Sequence, residues 1–160
     1  MNITIAVTLF LTYTLIMCRV NKAIPESLSK IVLNLPSPGK WLWTIVILAT
    51  SGLTFPSVID NSTDGTRFIA FFSLLAMIVV AVSPLDEQDD SPIRKAHTIA
   101  AYAAVVTSQL LVTLNHPLLL LLWLPYLVAI PLYFYKKKIN TYKFWAEITS
   151  FLIIFVYAIL

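Results

Sequence analysis

The chain has 160 residues, of which 59% are hydrophobic and only 12% are charged, and its formal net charge is +3 at pH 7. A soluble domain carries about 25% charged residues, so this composition leaves too little polar surface for a globule in water. The small positive charge requires no nucleic acid partner, because cationic residues are expected on the cytoplasmic loops of membrane proteins. The single cysteine, Cys18, excludes an internal disulfide and a cysteine-based zinc site.

Six apolar segments follow one another along the chain, each near the length that crosses a hydrocarbon core of about 30 Å. They lack the alternation of barrel strands, and only helices or closed barrels satisfy their backbone polar groups in lipid. We therefore predict an all-α polytopic membrane protein that forms one transmembrane domain over residues 1–160. Its six-helix bundle would have spans at about residues 3–18, 41–59, 68–82, 96–114, 118–135 and 144–160.

The first span carries a polar stripe, Thr4, Thr8 and Thr12, at helical spacing. Small hydroxyl residues favour close helix packing in lipid, so the stripe is expected to pack against another helix of the bundle. The loop that follows, IPESLSKIVLNLPSPG, has apolar residues at helical spacing and Pro25 in its first turn. It predicts a short interfacial helix, after which Trp41 and Trp43 would mark the membrane boundary.

Residues 82 to 106 read VSPLDEQDDSPIRKAHTIAAYAAVV, a cluster of charges followed by small residues. Ser91 followed by Pro92 is typical of a helix start, with serine as the N-cap and proline at the first helical position. In the span that follows, Ala101, Ala104 and Ser108 share one face and predict close helix packing. Gln109 lies near mid-membrane and must find a hydrogen-bond partner there.

Two ionisable residues begin late spans, His97 at the head of the fourth and Glu147 at the head of the sixth. Intramembrane ionisable residues usually face the bundle interior and pair. We therefore predict that both point into one polar pocket, with Glu26, Ser27 and Asp86 near its rim. Three interpretations stay open: a His–Glu contact that only ties two helices together, a site for a ligand, lipid headgroup or proton, and a catalytic or metal site.

A metal or other cofactor is not predicted. Zinc needs three or four ligands, and the only histidines, His97 and His116, are expected on opposite sides of the membrane. With three glycines in the chain, a glycine-rich phosphate cradle is not available either.

The cationic residues fix the predicted orientation. Ten of the eleven lysine and arginine residues lie in the first, third and fifth loops, and only Arg67 lies in the second. The positive-inside rule places the odd-numbered loops in the cytoplasm. Both termini are then expected on the periplasmic side.

Several stretches together, IPESLSKIVLNL, GKWLWTIVIL, FIAFFSLLAMIVVAVSPL, KAHTIAAYAAVVTSQLLVTL and KFWAEITSFLIIF, carry a recognisable pattern. The chain resembles a group of small, uncharacterised polytopic membrane proteins from Bacteroides-type bacteria. The matching positions are Pro25, Ser27, Ser29, Trp41, Pro84, His97, Ala101, Trp145 and Glu147. The resemblance implies a location in the bacterial inner membrane and implies no activity.

Two functional hypotheses follow. The first is a non-enzymatic binding or accessory component that uses the cytoplasm-facing polar pocket, with a lipid or small molecule as ligand and a membrane protein or a second copy as partner. The second is a small membrane enzyme or transporter that acts on a lipid headgroup or small solute at the same place. A closed His97–Glu147 contact would favour the first, and an open, wet cavity around His97 would favour the second.

Overall fold

The computed structural model describes residues 2–22, 24–30, 37–83, 91–135 and 141–160. Within these ranges the protein is all-helical and contains no β-strand. The elements in chain order are α1 (Asn2–Val20), α2 (Ser37–Asp60), α3 (Arg67–Val82), α4 (Pro92–Asn115), a 3-10 helix (Pro117–Trp123), α5 (Leu124–Tyr135) and α6 (Tyr142–Ile159). The predicted all-α class is therefore confirmed.

Among the described residues, four helices are long and apolar enough to cross a membrane: Asn2–Val20, Trp41–Asp60, Pro92–Asn115 and Tyr142–Ile159. Arg67–Val82 and Pro117–Pro131 are shorter apolar stretches. Large apolar side chains such as Leu15, Ile99 and Val128 cover the outside of the bundle. A soluble protein does not expose apolar surface on this scale, so the surface agrees with a bilayer around the helices.

The helices run up and down, which gathers their ends into two groups. At one end, Thr44 near the start of α2 donates to the carbonyl of Ala81 near the end of α3 over 2.8 Å. At the other end, Thr63 N–H ahead of α3 donates to the Asn115 side chain at the end of α4 over 3.2 Å. The end that holds the starts of α2, α4 and α6 is called the Glu147 end below, and the opposite one the Tyr157 end.

Each end of the bundle has its own apolar core. At the Glu147 end the core includes Phe10, Tyr13, Trp43, Ile47 and Phe155. At the Tyr157 end it includes Phe55, Leu111, Val112, Ile153 and Tyr157. Between the two cores, small residues let α3 and α4 approach closely. Ser73 on α3 donates there to the carbonyl of Ala104 on α4 over 3.4 Å.

The fifth predicted span is not one continuous α-helix. Residues 117–123 form a 3-10 helix, and α5 begins only at Leu124, directly before Pro125. The reason lies in the two prolines, because Pro117 and Pro125 have no N–H to donate to an α-helical ladder. No residue of the 3-10 helix is buried.

The predicted interfacial helix is wrong over the part of the loop that the structure describes. Residues 24–30 form bends and a short 3-10 turn, while residues 31–36 lie outside the described ranges. The backbone of this segment is bonded elsewhere, since the Glu26 carbonyl accepts from Phe144 N–H over 3.0 Å. Leu28 is 2% exposed and lies inside the bundle rather than along its rim.

The predicted start of α4 is confirmed. Ser91 is the N-cap with an extended backbone, its side chain accepts from Arg94 N–H over 3.1 Å, and Pro92 takes the first helical position. Asp89 and Asp90, which precede this helix start in the sequence, lie outside the described residues.

Replacing Ser91 with alanine is expected to lower the free energy of unfolding by about 1 kcal/mol, because the Arg94 N–H loses its acceptor. Denaturation of the purified protein in mixed micelles measures the change. Ser91→Asp is the matched control, since aspartate also caps well, and should leave the stability nearly unchanged. Equal losses in both variants would contradict a capping role.

Candidate functional site

A cavity of about 80 Å³ lies inside the bundle, between the two apolar cores. One water needs about 10–15 Å³ of such space, so the cavity has room for several waters or a small solute. Along α2 its lining runs from Trp43 to Phe55, about 18 Å at the α-helical rise. The other walls come from α3, α4, α6 and the segment at Leu28 and Ser29.

Hydroxyl groups line the cavity from all four helices. They belong to Ser29, Thr50, Ser51, Thr54, Ser73, Ser108 and Ser150. Thr50 and Thr54 are each 2% exposed, and their Oγ1 atoms have no hydrogen-bond partner in the described part of the chain. Buried polar atoms without a partner are rare in proteins and call for an explanation such as a bound water, ion or ligand.

An ionisable side chain, that of Glu147, lines one end of this cavity. Its Oε2 accepts a hydrogen bond from Leu28 N–H over 2.6 Å. Leu28 and Ser29 line this end of the cavity. The Glu147 bond and the bond from Phe144 N–H to the Glu26 carbonyl hold their segment against α6. Trp43 lines the same cavity, and its buried Nε1 has no partner among the described residues.

His97 does not meet Glu147. The imidazole is 2% exposed, and its Nδ1 lies 2.6 Å from the carbonyl oxygen of Ser83 at the end of α3. This carbonyl can only accept, so Nδ1 is the donor and the neutral ring carries its lone pair on Nε2, which has no partner in the described residues. Neither a hydrogen bond nor an ion pair joins His97 to Glu147 in the described residues, and His97 is not part of the cavity lining.

The remaining predicted rim residues fall in different places. Glu26 is exposed and forms an ion pair with Lys30, whose hydrogen bond and charge lower the pKa of the Glu26 carboxyl. Ser27 is buried, and its Oγ accepts from Lys30 N–H over 3.2 Å. Neither residue lines the cavity, and Asp86 lies outside the described residues.

The small residues of α4 lie beside the cavity. Ala104 and Ser108 are buried, and both line it together with Ala101. Gln109 has the partners that its depth requires: its Nε2 donates to Ser150 Oγ over 3.2 Å, and its Oε1 accepts from Trp123 Nε1 over 2.9 Å. The 3-10 helix is thereby tied to α4.

The prediction for the threonine stripe was wrong. Thr4, Thr8 and Thr12 are exposed on the outside of the bundle. Phe10 and Tyr13, on another face of α1, are buried inside it. Trp43 is 2% exposed and lies in the core, while Trp41 is exposed as a boundary residue would be. The cavity hydroxyls that sequence reasoning missed on α2 had a signal, the cluster Thr50, Ser51 and Thr54 within an apolar span.

At the Tyr157 end of the bundle, Tyr157, Asn61 and Ser62 form hydrogen bonds with one another. Tyr157 is completely buried, its hydroxyl donates to the Asn61 carbonyl over 3.0 Å, and Ser62 Oγ lies 3.1 Å from the same hydroxyl. Asn61 Nδ2 donates back to the Tyr157 carbonyl over 2.9 Å. These bonds join the ends of α2 and α6 and close the bundle beyond the cavity.

Groups of three or more metal-binding side chains are absent from the described residues. No protein-family model, curated protein or solved structure matches the chain.

Proposed function

We propose that the protein is a six-span component of the bacterial inner membrane that binds a small solute or lipid headgroup in the hydroxyl-lined cavity. It acts as a binding or accessory protein rather than an enzyme, and its Glu147 end faces the cytoplasm. The observation that carries the proposal is the cavity lined by Glu147, Thr50 and Thr54, in which the two threonine Oγ1 atoms have no hydrogen-bond partner among the described residues.

Binding is favoured over acid–base catalysis by the separation of the two ionisable residues. General acid–base chemistry needs groups within hydrogen-bond reach of the reacting atoms. His97 bonds to Ser83 and is not among the cavity-lining residues, so Glu147 acts there without an imidazole beside it.

A crossing by α3, which the six-span proposal requires, is supported by the length and direction of this helix. The sixteen residues of α3 extend about 24 Å at the α-helical rise, which spans most of a hydrocarbon core of about 30 Å. The antiparallel contacts of α3 with α2 and α4 put its two ends at opposite ends of the bundle. The cytoplasmic side is assigned to the Glu147 end by the cationic residues of the odd-numbered loops.

Two single-cysteine variants in a Cys18→Ser background test the span count. Asp64→Cys, in the exposed turn before α3, should react with a membrane-impermeant maleimide in intact cells. Ile93→Cys, in the exposed first turn of α4, should react only after the membrane is opened. If both react from the same side, α3 does not cross and the six-span proposal fails.

Access to the cavity is tested in the same background with methyl methanethiosulfonate, a small neutral thiol reagent. Ser51→Cys, which lines the cavity, should react in the folded protein, whereas Ala70→Cys, fully buried in the core outside the cavity, should not. Mass spectrometry measures the added thiomethyl group. If position 51 stays as inert as position 70, the cavity admits no solute and the binding proposal fails.

A further inference from the structure

The cavity has charge of one sign. Among the described residues that line it, Glu147 is the single ionisable group, and the others are apolar, carry hydroxyls or, in Trp43, carry an indole N–H. An anionic ligand would meet this carboxylate in a poorly solvated space, where like charges repel strongly. A cation would be attracted there for the same reason.

The Glu147 carboxylate has spare accepting capacity. An ionised carboxylate offers about four lone-pair sites, and within the described part of the chain Glu147 receives one hydrogen bond, from Leu28 N–H to Oε2. Oε1 has no hydrogen-bond partner among the described residues. The hydroxyls of Thr50 and Thr54, which have no partner in the described part of the chain, add acceptor oxygens to the lining.

The walls suit an organic cation better than a bare metal ion. Aromatic rings of Trp43, Phe55, Phe151 and Phe155 line the cavity, and ring faces attract ammonium groups in desolvated sites. Hard metal ions instead prefer six or more oxygen ligands, usually with several carboxylates. Glu147 is one carboxylate among mostly apolar neighbours, which fits a group with three N–H donors on an aliphatic stem.

We infer that the cavity binds a primary ammonium group, carried either by a lipid headgroup or by a free small amine, with Glu147 as its counter-ion. The inference deepens the proposed function and rests on it. The ammonium donates to the Glu147 carboxylate, while the Leu28 N–H keeps its hydrogen bond to Oε2.

Ethanolamine is the probe, with ethylene glycol as its neutral counterpart of similar size and glycolate as its anionic one. Each is titrated into the purified protein in phosphatidylcholine nanodiscs, and binding is measured by calorimetry and by the shift in Tm. We expect saturable binding and a raised Tm with ethanolamine alone. A second set of nanodiscs that also contains phosphatidylethanolamine tests the lipid as the source of the ammonium.

Glu147→Gln is the central variant, because the glutamine amide oxygen can still accept from Leu28 N–H while the charge is gone. A hydrogen bond to a charged group contributes enough that its loss should weaken ethanolamine binding about tenfold or more. Thr50→Val, which removes a wall hydroxyl at nearly constant volume, should weaken it less. Glu26→Gln is the matched control, since Glu26 is an exposed carboxylate outside the cavity lining, and should bind as the unmodified chain does.

The outcomes separate clearly. Binding of free ethanolamine that needs Glu147 supports a soluble amine, and a Tm raised by phosphatidylethanolamine that needs Glu147 supports the lipid. Equal binding of ethylene glycol, or full binding by Glu147→Gln, overturns the ammonium inference but leaves the solute-binding proposal standing. If no probe or lipid has an effect while Ser51→Cys still reacts with the thiol reagent, the ammonium inference alone is overturned.

Discussion

Replacing Phe10 with alanine is expected to lower the free energy of unfolding by about 3 kcal/mol. Phe10 is 1% exposed, and its ring centroid lies 4.4 Å from that of Phe151 and 5.6 Å from that of Phe155. Core Phe→Ala substitutions cost about 3–5 kcal/mol in water-soluble proteins. The lower end applies here, because burial from lipid gains no hydrophobic transfer energy and only the lost packing contacts remain.

Leu15→Ala is the matched control for this prediction. Leu15 lies on the same helix but is 69% exposed on the outer surface. Its truncation should change the unfolding free energy by only a few tenths of a kcal/mol, as surface substitutions usually do. Denaturation in mixed micelles measures both variants. Equal losses at the two positions would contradict the assignment of Phe10 to the face of α1 that packs on α6.

The second large effect is expected at Tyr157. Truncation to alanine removes a fully buried ring together with its hydroxyl bonds to the Asn61 carbonyl and Ser62. The loss should be about 3–4 kcal/mol, in the range of other large-to-small core substitutions. Tyr157→Phe separates the two contributions, and should cost only about 1 kcal/mol, the usual value of hydrogen bonds in membrane proteins.

Tyr102→Ala is the control for Tyr157, since Tyr102 is 65% exposed on the outer face of α4. It should be close to neutral. If Tyr157→Phe lowered the free energy of unfolding as much as Tyr157→Ala, the hydrogen bonds of the hydroxyl would contribute more than the packing of the ring. If Tyr157→Ala left the free energy of unfolding unchanged, this result would contradict the contact of Tyr157 between the ends of α2 and α6.

The helices themselves could be predicted because each is a run of apolar residues bounded by polar ones. The predicted spans 41–59, 68–82 and 144–160 agree with α2, α3 and α6 to within a few residues. The start of α4 could be predicted to the residue because Ser91 and Pro92 act locally. The fifth predicted span is not one α-helix in the structure, because Pro117 and Pro125 interrupt it. Mean hydropathy does not detect this interruption.

The site could be predicted only in part, because helix rotation is fixed by packing. Glu147 and the small residues of α4 do line the cavity, but His97 turns to the end of α3, where the Ser83 carbonyl satisfies Nδ1. The same limit applies to the hydroxyl residues. Thr4, Thr8 and Thr12 have a more regular spacing than Thr50, Ser51 and Thr54, yet only the second group faces inward.

The burial of Leu28 would have been hard to foresee. Its apolar neighbours at helical spacing indicated an amphipathic helix, but the Leu28 N–H bonds to Glu147, a residue far along the chain. Local sequence patterns contain no information on partners so distant in the chain. A backbone N–H can donate to any acceptor side chain that the fold brings near it.

The bond between Leu28 and Glu147 joins residues 119 positions apart, and this has a consequence for biogenesis. At a translation rate of about 5–20 residues per second, roughly ten seconds pass between the synthesis of the two partners. During that interval the early loop has no C-terminal helix to receive it. A chain released before α6 is made would therefore enter the membrane without the Glu147 partner of Leu28. The interior of such a chain would be exposed to membrane proteases.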